Sequence, residues 1–121
     1  MNTVEKSMRF VNLVDSPYLQ VYPDSGNLKN ASLEPGAKNV YEDIELGKGH
    51  IVAAHLKETI PGHYREIPFG TGQIDFKRMV NTFLSIGVNR FTGEFWYVGQ
   101  ENWIEDIKFA NQFLRSHFPN K

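Results

Sequence analysis

The fold of this chain is decided by the stretch Gly49-His50-Ile51-Val52-Ala53-Ala54-His55-Leu56-Lys57-Glu58-Thr59. It is an apolar run of small and β-branched residues that ends in polar ones, which is typical of a strand buried on both faces that meets a site at its C-terminal edge. Because side chains alternate across a strand, one face is purely apolar while the other ends in His55 and Lys57. His55 is therefore either a structural histidine or part of a site, and this stretch alone favours neither.

Upstream, the sequence predicts a helix and then a short strand. Asn2 and Glu5 have the spacing of a capping box, and apolar residues at helical spacing predict a helix from about Thr3 to Asp15. The segment Leu19–Tyr22 predicts a strand, which is followed by a polar turn containing Asp24. Asp24 is either an ordinary turn residue or a site residue, since α/β sheets keep their sites where strands end.

The central stretch is flanked by predicted loops and one short helix. Residues 28–38 predict a surface loop, followed by a helix through Val40 and Ile44 that Gly47 ends. Beyond the central stretch, residues 60–72 carry too many proline and glycine residues for regular structure. They are also too long for a plain connector, and they predict a loop that covers a substrate.

The remainder of the chain predicts a helix, a third strand and a last helix. Asp75 is predicted to cap a helix that Gly87 closes, and Val88–Trp96 predicts a strand with Glu94 near its end. Asn102 opens the last helix in a second possible capping box with Glu105. The predicted buried side of that helix consists of Trp103, Ile107, Ala110 and Leu114.

This alternation predicts an α/β fold built from right-handed parallel βα units, with helices on the outer face of the sheet. Three parallel strands leave two long edges unpaired. We therefore expect a partner chain, a second copy or a missing segment to cover them.

Composition limits the function classes. A chain of 121 residues with 40% hydrophobic and 22% charged residues fits one globular domain. A net charge of -1 argues against nucleic-acid binding, and no apolar run reaches the roughly 20 residues that span a bilayer. The chain has no cysteine and no signal-peptide pattern before Thr3, so we expect a cytoplasmic protein without thiolate metal sites.

The polar residues at the three predicted strand ends are Asp24, His55 and Glu94. Two carboxylates and an imidazole that converge at one rim form a site suited to divalent Zn, Mn or Mg. Such an ion can stabilise the enediolate that forms when a proton leaves the carbon next to a carbonyl, and a carboxylate can move that proton. The alternative is three unrelated polar residues, because strand ends are polar in any α/β protein.

Five segments of the chain follow one another in the order of a known family. They are Val21-Tyr22-Pro23-Asp24-Ser25-Gly26-Asn27, Gly49 to Gly62, Ile67-Pro68-Phe69-Gly70-Thr71-Gly72, Ile74-Asp75-Phe76 and Gly93-Glu94-Phe95-Trp96. Together they resemble the L-ribulose-5-phosphate (L-xylulose-5-phosphate) 3-epimerases, long labelled hexulose-6-phosphate isomerases, which are xylose-isomerase-like barrels. The resemblance covers nearly the whole chain.

The resemblance implies that residues 1–121 form a single partial domain, the C-terminal part (about three βα units) of a TIM (β/α)8 barrel. It also implies a divalent ion held by two glutamates, an aspartate and a histidine, with the glutamates exchanging the proton at C3 of a sugar phosphate. Asp24 matches the family's aspartate, His55 its histidine and Glu94 its second glutamate, which is both ligand and acid/base. The first glutamate has no counterpart here, so we expect the isolated chain to be weak or inactive.

Three further residues are candidates for substrate binding. Lys57 could contact the substrate phosphate, although a lysine that reaches solvent or a helix dipole is the alternative. Arg65 is either a solvated loop charge or a phosphate ligand when the loop closes. Trp96 either forms a wall for a sugar or caps the barrel core.

The function predicted from the sequence is a metal-dependent sugar-phosphate epimerase or isomerase. The main alternative is a non-catalytic barrel fragment that self-associates or combines with a missing barrel half. A metal-dependent DNA-repair endonuclease of the same superfamily is a third possibility, and it would require the basic surface that the net charge argues against.

Overall fold

The chain folds into helices and two parallel strands, and the predicted α/β class is confirmed. The structure is a computed structural model, and it describes residues 1–120. In chain order the elements are α1 (Val4–Val14), α2 (Ser25–Ala31), α3 (Val40–Glu45), β1 (Ala54–Leu56), α4 (Phe76–Ser85), β2 (Phe91–Gly93) and α5 (Trp103–Ser116). No helix within residues 1–120 is both long and apolar enough to span a membrane.

Strands β1 and β2 pair in parallel, with His55 opposite Thr92. Both strands are shorter than the sequence predicts, because the flanking backbone makes other hydrogen bonds. At the start of the strand predicted over Val88–Trp96 the Val88 N–H donates to the Phe83 carbonyl at 3.0 Å. The His50 N–H donates to the Gly47 carbonyl at 2.8 Å, in the turn after α3. At the other end of β1 the Lys57 N–H donates to the Ser25 hydroxyl oxygen at 3.0 Å, not to a neighbouring strand.

The first predicted strand is present only as two separate bridges on the other side of β1. Val21 pairs in parallel with Ile51, and Asp24 pairs in parallel with His55. Pro23 lies between them and has no N–H to donate, although its carbonyl accepts from the His55 N–H at 2.8 Å. The segment therefore runs alongside β1 without forming a continuous strand.

The predicted loop over residues 28–38 is wrong at its start, because α2 occupies residues 25–31. The Asp24 side chain caps this helix by accepting from the Asn27 N–H, and Leu28 and Ala31 are buried. The predicted irregular loop over 60–72 is confirmed, since no helix or strand lies there.

The helix ends confirm some predictions and correct others. Asp75 caps α4 by accepting from the Arg78 N–H, and Gly87, with φ of +91°, follows the end of that helix. The α1 capping box is wrong, because Thr3 is the N-cap and Asp43 of α3 accepts from the first free N–H groups of α1. Asn102 makes no side-chain capping bond.

The core lies between the short sheet and the helices that cover it. Helix α4 contributes the most side chains to this core, and they are spaced along one helical face as the sequence predicts. The fully buried apolar residues of the core include Val4, Ile44, Leu56, Met79, Val80 and Phe83. On α5 only Ala110 and Leu114 are buried, so the prediction is wrong for Trp103 and Ile107, which are exposed.

Candidate metal site

The structure brings together the three residues predicted to bind a metal. Asp24, His55 and Glu94 each offer one ligand atom, and these atoms lie within 4.8 Å of one another. Asp24 follows the extended segment beside β1, His55 is in β1, and Glu94 directly follows β2, where its N–H donates to the Leu56 carbonyl at 2.9 Å. Parallel pairing thus places the three side chains at one rim, as the strand-end argument predicted.

Asp24 uses one carboxylate oxygen for structure, while the other lies 3.3 Å from Lys57 Nζ. Oδ1 accepts from the Asn27 N–H at 2.8 Å, which caps α2. Oδ2 is buried and makes no hydrogen bond to any of residues 1–120. Burial raises the pKa of Asp24 above its ordinary value of 3.8, although the Asn27 N–H and Lys57 act in the opposite direction. A buried oxygen without a hydrogen bond is a position at which a cation could bind.

His55 is held in place by neighbours that the sequence did not single out. The Tyr22 ring packs on the imidazole with centroids 4.4 Å apart, and the Tyr22 hydroxyl bonds to Thr92 Oγ1 at 2.8 Å. His55 Nδ1 lies 3.3 Å from Glu94 Oε2. Tyr22, anchored through its hydroxyl to Thr92 of β2, therefore orients the imidazole. In the sequence, the signal for this contact was an aromatic residue, Tyr22, two positions before Asp24.

Lys57 does not reach solvent or a helix dipole as the alternative prediction held. Its Nζ lies 3.3 Å from Asp24 Oδ2 and 3.5 Å from Glu94 Oε1, and its side chain is only 7% exposed. The four residues Asp24, His55, Lys57 and Glu94 are called the rim cluster below. They line one cavity of about 360 Å³ that extends past Tyr22 toward the start of α1.

Glu58 is a buried carboxylate that the sequence prediction missed. It is 2% exposed and accepts from the N–H groups of Thr59, Gly70 and Ile74 at 3.0–3.1 Å. A Cβ at Gly72 would overlap both Glu58 Oε1 and the Thr59 carbonyl, so glycine is required there. This arrangement, called the Glu58 clamp below, fastens both ends of the loop over 60–72. In the sequence, the only signal for the Glu58 clamp was the glycine-rich loop that follows the strand-end residue Glu58.

Arg65 and Trp96 contact each other and not the rim cluster. The Arg65 guanidinium carbon lies 4.5 Å from the centroid of the Trp96 ring, which is the geometry of a cation–π contact. Neither residue lines the cavity of the rim cluster. Trp96 is 38% exposed and is outside the buried core. Their assignment to substrate binding stays a prediction.

Comparisons with known proteins identify the family that the chain resembles. A family model described as "Xylose isomerase-like TIM barrel" matches residues 1–117. The L-ribulose-5-phosphate 3-epimerases UlaE of Salmonella paratyphi A and of Salmonella typhimurium (strain LT2) are similar to this chain. The first has 32% identity over 117 residues, which is 96% of the chain. The second has the same identity, also over 96% of the chain.

A solved structure of an L-ribulose 3-epimerase has a similar fold. It matches 97% of this chain with a TM-score of 0.64 and 18% sequence identity. The chain spans 39% of the length of the UlaE relatives and 43% of that solved chain. The match to a part of a barrel agrees with the partial barrel predicted from the sequence.

Proposed function

The chain belongs to the xylose isomerase-like TIM barrel family, and we propose that it is the metal-holding part of a sugar-phosphate 3-epimerase or isomerase. The observation that carries the proposal is the approach of Asp24, His55 and Glu94 to within 4.8 Å at the rim of the parallel strands. The names of the relatives, L-ribulose-5-phosphate 3-epimerases, support a ketopentose phosphate as substrate. A hexulose phosphate is the other substrate that the sequence resemblance predicts.

The residues present fit a divalent ion. Two carboxylate oxygens and one imidazole nitrogen are donors that Zn, Mn and Mg accept, and Asp24 Oδ2 is buried without a hydrogen bond to residues 1–120. We assign Asp24, His55 and Glu94 as the ligands. A bound divalent ion would supply the positive charge that stabilises an enediolate formed on loss of the C3 proton.

Glu94 is the residue that we assign to proton transfer. Its carboxylate is 29% exposed and lines the cavity, whereas the Asp24 carboxylate is 9% exposed and caps α2. Epimerisation removes a proton from one face of a carbon and returns it to the other, which needs two bases. Glu94 would serve one face. The family's first glutamate, which would serve the other face, has no counterpart in this chain, so we expect little complete turnover from it.

Metal binding is the first test. We expect Mn²⁺ to bind the chelator-treated chain, and Asp24→Asn, His55→Ala and Glu94→Gln each to weaken binding roughly 100-fold or more, because loss of a residue that only supports a metal ligand already costs about 10–100-fold. Isothermal titration calorimetry measures the affinities. Glu101→Gln is the matched control, because Glu101 is exposed and outside the rim cluster. Equal affinities in all variants would contradict the ligand assignment.

The proton-transfer role is tested by exchange at C3 instead of by turnover. One base is enough to exchange the C3 proton of L-ribulose 5-phosphate with deuterium from solvent, and NMR follows that exchange directly. We expect slow, metal-dependent exchange with little epimerisation, and its loss in Glu94→Gln. If the same substitution in an active full-length relative leaves epimerisation unchanged, the role assigned to Glu94 is wrong.

A non-catalytic, self-associating barrel fragment is the second candidate function. It is favoured by the large apolar side chains that are exposed on α1, directly after β2 and on α5, among them Leu13, Val14, Tyr97, Val98 and Phe109. The outer edge of β2 also pairs with no strand in the part of the chain that the structure describes. Sedimentation should then show mass that rises with concentration, and metal binding without C3 exchange would favour this candidate.

Substrate contacts and location complete the proposal. Lys57 is the best placed of the three predicted substrate-binding residues, because it alone lines the cavity of the rim cluster. We retain a cytoplasmic location and the absence of nucleic-acid binding as predictions, the latter from the net charge of -1. A nicking assay on abasic DNA tests the endonuclease alternative.

A further inference from the structure

Lys57 places an ammonium group between the two carboxylates of the rim cluster. Its Nζ is within 3.3 Å of Asp24 and 3.5 Å of Glu94, and 7% of its side chain is exposed. A buried ammonium needs acidic or hydrogen-bonding neighbours to offset its loss of hydration. Both of the acidic neighbours in this case are the carboxylates assigned above as metal ligands.

The backbone of Lys57 is fixed, and its long side chain is the part that can move. The Lys57 N–H donates to Ser25 Oγ at 3.0 Å, and the Ser25 hydroxyl donates to the Lys57 carbonyl at 3.2 Å. Ser25 is fully buried, and a Cβ at Gly26 would lie 3.1 Å from the same carbonyl. The residues after Asp24 thus lock the backbone of Lys57 beside the ligand that its side chain contacts.

We propose that Lys57 is the resident counter-ion of the rim cluster, which a divalent cation must displace before it can bind to Asp24 and Glu94. The inference rests on the metal site proposed above. An ammonium and a divalent ion cannot share two carboxylates at these distances without strong repulsion. The displaced ammonium stays beside the cavity, where it can contact an anionic group of the substrate.

The first experiment removes the charge and keeps the apolar stem. Lys57→Met should bind Mn²⁺ roughly tenfold or more tightly than the wild-type chain, because the ion no longer competes with an ammonium. The chelated variant should also melt at a lower temperature than the wild type, and Mn²⁺ should reverse this difference. Lys108→Met is the matched control, since it removes the same charge from an exposed position on α5. Unchanged or weaker Mn²⁺ affinity in Lys57→Met overturns the proposal.

The second experiment uses the wild-type chain, so it does not depend on a variant that folds. Acetylation of lysine amines, followed by mass spectrometry, should modify Lys57 slowly in chelator and several-fold faster with saturating Mn²⁺. Lys108 should react equally in both conditions. If Mn²⁺ binds and the reactivity of Lys57 does not change, the ammonium is not displaced and the proposal is wrong.

The two experiments separate this proposal from the metal site on which it rests. Binding that is lost in Asp24→Asn and equal in wild type and Lys57→Met would keep the metal site and reject the counter-ion. Binding to Lys57→Met alone would support both. Binding to neither protein would reject both.

Discussion

The rim cluster and the Glu58 clamp are two buried acidic regions that begin at adjacent residues of one strand end. In the clamp, Glu58 accepts three backbone N–H groups, and every contact is internal. In the rim cluster, Asp24 keeps one buried oxygen without a hydrogen bond to residues 1–120, and its neighbours line a cavity. A buried carboxylate whose two oxygens both accept backbone N–H groups holds structure, whereas a carboxylate oxygen that pairs with a movable ammonium can take another cation in its place.

The alternation of side chains along the strand explains why the two regions differ. Lys57 is directed toward Asp24 and Glu94, while Glu58 is directed toward the loop over 60–72. The same backbone therefore supplies a candidate site on one side and an anchor for the loop over 60–72 on the other. The distinction predicts that substitutions in the clamp change stability most, and that substitutions in the rim cluster change binding most.

Glu58→Gln tests the clamp and should have the largest effect on stability. The neutral amide oxygen accepts hydrogen bonds more weakly than a carboxylate oxygen, and the amide NH₂ would face a backbone N–H without a hydrogen bond. Both effects together should lower the free energy of unfolding by roughly 2–4 kcal/mol. Urea denaturation measures it. Glu45→Gln, at an exposed position of α3, should change it by less than about 0.5 kcal/mol. Equal effects in the two variants would remove the contrast between the regions.

Asp24 caps α2 and is also a buried titratable group, and the stability of the metal-free protein as a function of pH should separate these two roles. Burial raises its pKa above 3.8, so the folded state holds this proton more tightly than the unfolded state. The resulting stabilisation is fully present below pH 3.8 and is lost as the pH rises through the folded pKa. Asp24→Asn removes this dependence and keeps a capping side chain, whereas Asp24→Ala should lose about 1 kcal/mol more at every pH.

Urea unfolding of the wild-type protein and both variants across that pH range provides the measurement. The stability difference between wild type and Asp24→Asn should decrease as the pH rises. A difference that is constant with pH would show that Asp24 is as hydrated as an ordinary surface carboxylate.

The exposed ion pair between Lys38 and Glu5 should have the smallest effect on stability. Lys38 Nζ lies 3.0 Å from Glu5 Oε1, and both side chains are more than 40% exposed. Lys38→Ala should leave the melting temperature unchanged within error. In the wild-type protein the hydrogen bond and the charge of Lys38 lower the pKa of Glu5. In the Lys38→Ala variant, NMR should therefore find the pKa of Glu5 closer to 4.5. The small stabilisation is present at higher pH and is lost as the pH falls through the lowered pKa.

Much of the fold follows from the sequence because its signals are local. The apolar face of α4, its Asp75 cap and the Gly87 end are all coded within one segment, and the structure has them. Helix α2 was not predicted, since seven mostly polar residues carry too little apolar periodicity. It forms because Asp24 caps it and because Leu28 packs in the core, which depends on distant residues.

The candidate site was predicted in outline and not in its contacts. Strand direction alone places Asp24, His55 and Glu94 at one rim, so their approach could be expected. The burial of Lys57 and the bonds of Glu58 depend on which residues close the surrounding space. Those partners lie up to 37 positions away, and no local pattern specifies them.

The contact between Arg65 and Trp96 gives the chain a natural optical reporter. The chain has two tryptophans. The Trp96 ring is packed under the guanidinium group of Arg65, which lies in the loop that the Glu58 clamp fastens, while Trp103 begins α5. Any movement of the loop over 60–72 away from Trp96 would change the surroundings of that indole ring. Motion of a segment without catalytic groups of its own can thus be followed by tryptophan emission, without an attached dye.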